Sequence, residues 1–228
     1  MLVFGYSFQV FLLLSFMLQW VSHLTNTHLT MEPHLIAIHN ILRGNKSRDD
    51  HPIYGFIRPL CPDTLFLNWA ARKTLIKYGA GSLSDMWTSA GTGQIMQLIG
   101  MQWERYDFFK SSALPNELES RGFTEDFDMP GYHFRDDGMK LWNMMGNYAS
   151  DFVDEVYNSD ADVKGDGRLQ EWAHFTSAKD RLAVPGFPAS FESKEELVKV
   201  LQVLCWVPSG LHAGVNFPQY DVSVFTCF

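Results

Sequence analysis

Two histidines lie five positions apart in a segment that has no charged side chains. Residues 1–31 contain no Asp, Glu, Lys or Arg, and His23 and His28 lie near the end of this run. A neutral imidazole is a good ligand for first-row metal ions, and apolar surroundings protect such a site. On a regular α-helix, side chains five positions apart point about 140° away from each other. A π-helical turn would bring both rings to one face, so the spacing predicts a metal site that requires such a turn. Taken singly, either histidine is more typical of a core residue.

A second pair of potential ligands lies near the carboxyl end of the chain. His212 and Asn216 are four positions apart, so they share one face of a helix. The small Ala213 and Gly214 between them allow another element to approach closely. Three imidazoles with a weak amide oxygen and no thiolate suit iron better than structural zinc. Taken alone, the pair favours a simple His–Asn hydrogen bond inside a helix, so its meaning depends on the other two histidines.

The segment from Asp160 to Glu171 has the spacing of a calcium-binding EF-hand loop. It matches that loop at positions 1, 3, 6 and 12. However, Lys164 puts a cation at a ligand position, and Gly167 stands where an apolar residue is usual. EF-hands also normally occur in pairs, and the sequence has one such segment. We therefore interpret it as an acidic surface loop between helices and expect no functional EF-hand.

The composition restricts the class of protein. The 228 residues carry 18 basic and 26 acidic side chains, a formal net charge of −8, which argues against a nucleic-acid-binding surface. Hydrophobic residues make up 46% of the chain, too many for a disordered protein, and the length allows one large or two small domains. Three widely spaced cysteines, Cys61, Cys205 and Cys227, exclude a disulfide-stapled module and a cysteine-rich zinc site. They favour a reducing, cytoplasmic setting.

Helices are the elements that must position these side chains. Apolar periodicity predicts helices over residues 64–78, 139–157 and 193–207, the last with capping-box spacing at Ser193. Residues 79–122 mix apolar stretches with glycine, serine and proline and predict no clear element. No strand alternation occurs, so we predict a mainly α fold. The uncharged opening has three interpretations: a helix buried on all sides, which we favour, a membrane span, or a signal peptide.

Taken together, the motifs resemble the iron-bearing core of the lipoxygenase family, and they occur in the family's order from Gln19 to Asp221. They are HLTNTHL at 23–29, MEP at 31–33, HPIY at 51–54, LNWAAR at 67–72, FRDDG at 134–138, LQEW at 169–172 and HAGVNFPQYD at 212–221. The resemblance implies the central portion of the helical lipoxygenase catalytic domain. Residues 1–18 would be an apolar lead-in helix that does not match the family, and residues 19–228 a partial catalytic domain.

The resemblance implies one non-haem iron ion per chain. The implied ligands are His23, His28, His212 and Asn216. The other histidines are predicted not to be ligands; these are His34, His39, His51, His133 and His174.

The resemblance also implies an activity, the dioxygenation of polyunsaturated fatty acids by O2 to hydroperoxides with iron that alternates between Fe(II) and Fe(III). Gln19 and Gln219 match the amides that link the metal to the substrate channel. Leu75 matches the leucine that holds the fatty-acid chain, and Ala71 lies where alanine accompanies S stereochemistry in this family. The implied partners are the fatty acid and O2, without nucleic acid. The implied location is cytoplasmic, and a full-length form could also contact a membrane peripherally.

The sequence departs from the family pattern in ways that bear on activity. The family's fifth iron ligand is the carboxylate of its last residue, beyond the region matched here, and the family's amino-terminal β-barrel has no counterpart. We therefore expect a fragment truncated at both ends. Pro208 is expected to kink the helix that carries His212. Four neutral ligands stabilise ferric iron poorly, so we expect weak or absent iron retention and no turnover by these residues alone. The alternatives are a catalytically inactive lipoxygenase fold and a calcium-binding or membrane-anchored helical protein.

Overall fold

The architecture is helical throughout the part of the chain that the structure describes. A computed structural model describes residues 18–74, 76, 92–123 and 130–216, and these residues contain no β-strand. The predicted mainly α class is confirmed. The α-helices are α1 (residues 18–23), α2 (Thr30–Ala37), α3 (Pro52–Ile57), α4 (Thr64–Thr74), α5 (Thr92–Trp103), α6 (Phe108–Ser112), α7 (Leu114–Ser120), α8 (His133–Val156), α9 (Asp160–Gly165), α10 (Gly167–Ser177), α11 (Lys194–Trp206) and α12 (His212–Asn216).

Three π-helical segments adjoin these α-helices among the described residues. They are Leu24–Leu29, Ile38–Leu42 and Val207–Leu211, and short 3-10 turns occur at Ser47–Asp49 and Arg58–Leu60. Each π-helical N–H bonds the carbonyl five residues back, so the segment holds more residues per turn than an α-helix. The first and the last of these segments adjoin the predicted metal ligands. The π-helical turn that the spacing of His23 and His28 requires is therefore present.

The chain forms two compact units, and the first contains the predicted ligands. Its described residues fall within Met1–Leu29, Asp63–Arg105 and Leu211–Phe228. The first π-helical segment packs against α4 and α5. The apolar core between them is built from α1, the π-helical segment and α5: Val21, Leu24, Ile95 and Ile99 are buried, with Trp20, Leu29, Ile76 and Leu98 packed against them. Burial of these side chains is what holds the π-helical segment against α5.

The second unit contains Thr30–Pro62 and Tyr106–Gly210 and is organised by the packing of α8 on α11. Trp142 of α8 and Trp206 of α11 meet edge to face, with ring centroids 6.3 Å apart. Helix α11 begins where the sequence predicts, because the Ser193 side chain accepts a hydrogen bond of 3.1 Å from the backbone N–H of Glu196. Its buried face, from Leu197 to Trp206, repeats at helical spacing.

Sequence periodicity locates some helices less well than α11. Helix α8 starts at His133 instead of residue 139, because its first two turns are mostly polar and carry no apolar repeat. The helix predicted over 64–78 runs from Thr64 to Thr74 in the described residues. In the region from 79 to 122 that gave no prediction, the described residues 92–122 form three helices, α5, α6 and α7.

One helical run among the described residues is long and apolar enough to cross a membrane. It extends over 23 residues, from Lys194 to Asn216, and includes α11 and α12. Length and composition alone satisfy this criterion, which the core helix of a globular protein also meets. The α11 part of the run has the burial of such a core helix. Residues 1–17 of the uncharged opening lie outside the described residues.

Candidate metal centre

The first π-helical segment brings the rings of His23 and His28 together. His23 ends α1, and the turn Leu24–Leu29 that follows it contains His28. Because a π-helix holds more residues per turn than an α-helix, side chains five positions apart project from nearly the same face. Their Nε2 atoms are 3.1 Å apart. A regular α-helix over these residues would separate the rings, so the local helical register creates this half of the site.

Two buried threonines satisfy backbone carbonyls where the helical register changes. The Thr25 hydroxyl donates to the carbonyl of Val21 at 2.6 Å, and the Thr27 hydroxyl donates to the carbonyl of His23. Both side chains are about 2% exposed. In an α-helix, a backbone N–H donates to the carbonyl four residues back, but in a π-helix it donates to the carbonyl five residues back. At this change of bonding, each threonine hydroxyl donates to the carbonyl four residues before it. The threonines therefore support the register that pairs the histidines.

The third histidine comes from the other end of the chain. The Nε2 atom of His212, the first residue of α12, lies 3.0 Å from that of His23 and 3.2 Å from that of His28. The preceding π-helical segment, Val207–Leu211, contains Pro208, which has no N–H to donate. The π-helical register forms at the place where the sequence predicts a kink in this helix.

The three nitrogens have the spacing of ligands to one metal ion. For ligands bonded to one ion at about 2.1 Å, neighbouring nitrogens are about 3.0 Å apart at octahedral angles and about 3.4 Å apart at tetrahedral angles. The observed separations of 3.0 to 3.2 Å are closer to one face of an octahedron. Among the described residues, His23, His28 and His212 are the only group of three or more His, Cys, Asp or Glu whose donor atoms converge in this way. The spacing therefore fits three ligands to one metal ion.

Burial favours the ligating form of His212. Its surroundings lower the pKa of this imidazole from its ordinary value, first through desolvation and then through the neighbouring His28. A lowered pKa keeps the ring neutral at physiological pH, and only a neutral imidazole has a lone pair to offer a metal. The electrostatics of the site thus agree with its geometry.

Asn68 contacts this site, although the sequence assigned it no role. Its side chain Oδ1 lies 2.8 Å from Nδ1 of His28, and its Nδ2 donates to the backbone carbonyl of His28 at 3.0 Å. Asn68 appeared in the sequence only as part of a family motif. Forty positions separate it from His28, so no local spacing pattern could reveal the contact.

The structure also locates the other residues that the sequence proposed. Gln19 lies one helical turn before His23, and its Oε1 is buried without a hydrogen-bond donor among the described residues. Asn216 ends α12, four positions after His212, and its role as a ligand stays a prediction. Ala71 lies on α4 and is partly buried. Leu75 and Gln219 lie outside the described residues.

Three of the histidines predicted not to be ligands contact other groups. His34 is fully buried between the rings of Phe108 and Phe187, with centroid distances of 4.9 and 5.2 Å. The Nδ1 of His39 lies 3.4 Å from the hydroxyl of Tyr54. His51 caps α3 by accepting from a backbone N–H with its Nδ1. The two remaining histidines, His133 and His174, are exposed.

The segment with EF-hand spacing folds as two capped helices, α9 and α10. Asp160 is the first residue of α9, and its carboxylate accepts from the backbone N–H of Lys194 at 2.8 Å. Asp166 caps α10, and its Oδ2 accepts from the hydroxyl of Tyr157 and lies 2.8 Å from Nε2 of His51. Although burial opposes ionisation, these hydrogen bonds together hold the pKa of Asp166 well below its usual range. The prediction of a loop is therefore wrong, because the segment is helical, whereas its surface position is confirmed for α9, in which only Val163 is buried. The absence of a functional EF-hand stays a prediction.

Comparison with known proteins agrees with the helical architecture and with the histidine motifs. The lipoxygenase family profile matches residues 14–227, so the chain belongs to the lipoxygenase family. It is 32% identical to the allene oxide synthase-lipoxygenase protein of Plexaura homomalla, over 90% of this chain and 19% of that protein. It is 30% identical to the polyunsaturated fatty acid lipoxygenase ALOX8 of Mus musculus, over 90% of this chain and 29% of that protein. The family prediction is confirmed.

Solved structures show the same relationship. The crystal structure of coral 8R-lipoxygenase superimposes with a TM-score of 0.78 at 32% identity, covering 88% of this chain and 29% of that chain. An anaerobic crystal structure of a lipoxygenase deletion variant in complex with arachidonate gives a TM-score of 0.79 at 31% identity, covering 90% of this chain and 30% of that chain. The chain thus spans less than a third of the length of these relatives and corresponds to a partial helical piece of them.

Proposed function

We propose that this chain supplies the metal-binding core of a non-haem iron dioxygenase that acts on polyunsaturated fatty acids. In this proposal His23, His28 and His212 hold one iron ion, and Asn216 adds a weak oxygen ligand from the same face of α12. The observation that carries the proposal is the convergence of the three Nε2 atoms to within 3.0 to 3.2 Å. Relatives named as fatty-acid and linoleate lipoxygenases, and a relative solved with arachidonate, support the substrate class.

The protein's own part in this function is to hold the ligands and to shape their surroundings. When bound, iron would supply the one-electron chemistry that oxidises a doubly allylic methylene group. The apolar core packs Leu24 and Leu29 of the π-helical segment, which carries His28, against side chains of α5. The buried Oε1 of Gln19, one turn from His23, is available to accept a hydrogen bond from a group beside the metal. Ala71 and Leu75 are proposed to line the fatty-acid channel.

Anaerobic equilibrium titration with Fe(II) tests the metal site directly. We expect one Fe(II) ion per chain, bound weakly, with the affinity reduced further, at least about tenfold, by His23→Ala, His28→Ala or His212→Ala. The matched control is His39→Ala, which removes another partly buried imidazole that hydrogen-bonds Tyr54. Loss of iron binding in the His39 variant, with binding retained in the His28 variant, would overturn the assignment.

Catalysis requires a separate experiment, because an inactive iron-binding member of the fold would pass the titration. Residues 19–216 can replace the matching third of a full-length lipoxygenase, and conjugated-diene absorbance can be followed with linoleate and arachidonate. We expect iron-dependent diene formation that His212→Ala abolishes, and none from residues 1–228 alone. A chimera that folds and binds iron but forms no diene would favour the inactive alternative.

A further inference from the structure

Asn68 is the only buried residue of α4. Its exposure is 3%, while its neighbours Phe66, Leu67 and Trp69 are more than half exposed. The helix therefore turns a polar amide towards the protein and leaves large apolar side chains outside. Burial of an amide is costly unless its hydrogen bonds are made, so the contacts of Asn68 should explain its position.

Both ends of the Asn68 amide contact His28. The backbone carbonyl of His28 is an acceptor only, so the amide group 3.0 Å from it must be the NH₂. This contact fixes the orientation of the amide and places Oδ1 2.8 Å from Nδ1 of the same histidine. Since Oδ1 can only accept, Nδ1 must carry the proton. A neutral His28 is therefore the Nδ1–H tautomer, and its Nε2 has a bare lone pair.

That lone pair points into the histidine cluster. The Nε2 of His28 lies 3.1 Å from that of His23 and 3.2 Å from that of His212. We propose that Asn68 is a positioning residue that holds His28 in the tautomer and ring orientation required for metal binding. This inference rests on the proposed function, since it assigns a role in the same metal site. A metal-bound imidazole commonly donates its second N–H to such an outer partner, and loss of that partner typically weakens metal binding about 10- to 100-fold.

The test compares two substitutions of Asn68 in equilibrium titrations with Co²⁺, whose visible absorption reports its coordination. Asn68→Leu removes both hydrogen bonds and should weaken Co²⁺ binding about 10- to 100-fold. Asn68→Asp keeps an acceptor for the Nδ1–H but loses the donor to the His28 carbonyl, so it should bind Co²⁺ more tightly than Asn68→Leu. Thr176→Val is the control, because it removes another buried side-chain hydrogen bond, to the Trp172 carbonyl, in the second unit. It should leave the Co²⁺ affinity unchanged.

The tautomer itself can be read from the ¹⁵N resonances of the histidine rings in the metal-free protein. We expect His28 to be the Nδ1–H form in the original chain and in Asn68→Asp, and to lose this preference in Asn68→Leu. An Nε2–H form of His28 in the original chain would overturn the inference, even if the Leu variant failed to fold. A folded Leu variant that binds Co²⁺ as tightly as the original would also overturn it, while leaving the metal site intact. Failure of the original chain to bind Co²⁺ would instead overturn the proposed function.

Discussion

His34 is a buried imidazole whose burial should make the second unit sensitive to acid. It is fully buried on α2, and neither ring nitrogen has a hydrogen-bond partner among the described residues. Desolvation by burial lowers the pKa of His34 from 6.5 to about 3. The folded protein therefore keeps this ring neutral at pH 5, while the unfolded chain binds a proton there. Acid thus favours the unfolded state, and this contribution to stability is lost as the pH falls below about 6.5.

The magnitude follows from the two pKa values. One pKa unit corresponds to about 1.36 kcal/mol, and pH 5 lies 1.5 units below the unfolded value of 6.5. The His34 contribution to the free energy of unfolding should therefore fall by about 2 kcal/mol between pH 7 and pH 5. His34→Phe removes the titration and also the two unpaired nitrogens, while keeping an aromatic ring between Phe108 and Phe187. At pH 7 the Phe variant should be more stable by about 1–3 kcal/mol.

Urea unfolding at pH 7, 6 and 5, followed by tryptophan fluorescence, measures both effects. Trp172 and Trp206 are buried in the second unit and report its unfolding. His34→Gln is the matched variant, because it removes the titration and keeps a buried polar group. In both variants, the fall in the free energy of unfolding between pH 7 and pH 5 should be smaller than in the original chain by about 2 kcal/mol. Only the Phe variant should also be more stable than the original chain at pH 7. A fall in the free energy of unfolding between pH 7 and pH 5 that is as large in both variants as in the original chain would refute this reasoning. A Phe variant that is less stable than the original chain at pH 7 would also refute it.

The other predictions concern close packing and a shared carboxylate in the second unit. Gly210→Ala should reduce the free energy of unfolding by about 1–3 kcal/mol, since an added Cβ would collide with the buried Trp206 ring. Gly55→Ala in α3, where nothing lies within 4 Å of the added atom, should instead be neutral or stabilising by up to about 1 kcal/mol. An equal loss of unfolding free energy in the two variants would contradict the packing argument. Asp166→Ala should cost about 2–4 kcal/mol by removing the α10 cap and the partner of His51, whereas Asp166→Asn should keep the cap and lose less. Urea midpoints would show this order, and an Asn variant as unstable as the Ala variant would count against the cap.

The sequence predicts the convergence of His23 and His28 well, because the feature that brings the two rings together is local. The spacing of His23 and His28 demands a π-helical turn, and that turn occurs at Leu24–Leu29. The start of α11 is equally local, since the cap at Ser193 depends only on residues within one turn. Short-range geometry of this kind can be read from the order of residues alone.

Features that depend on distant contacts could not be predicted in this way. The hydrogen bonds of Asn68 to His28 join residues 40 positions apart. The carboxylate of Asp166, in the segment with calcium-loop spacing, caps α10 and also contacts His51, 115 positions away. Tertiary contacts decide which role a polar side chain takes, and periodicity does not contain them.

The central claim is that His23, His28 and His212 bind one metal ion together. The most direct measurement is a crystal structure of the protein loaded anaerobically with Fe(II), with anomalous diffraction data collected at the iron absorption edge. We expect one anomalous peak among the three rings, at about 2.0–2.3 Å from each Nε2 atom. An iron peak that contacts fewer than two of these nitrogens, or a loaded protein whose iron lies at the Asp160–Asp166 carboxylates, would contradict it.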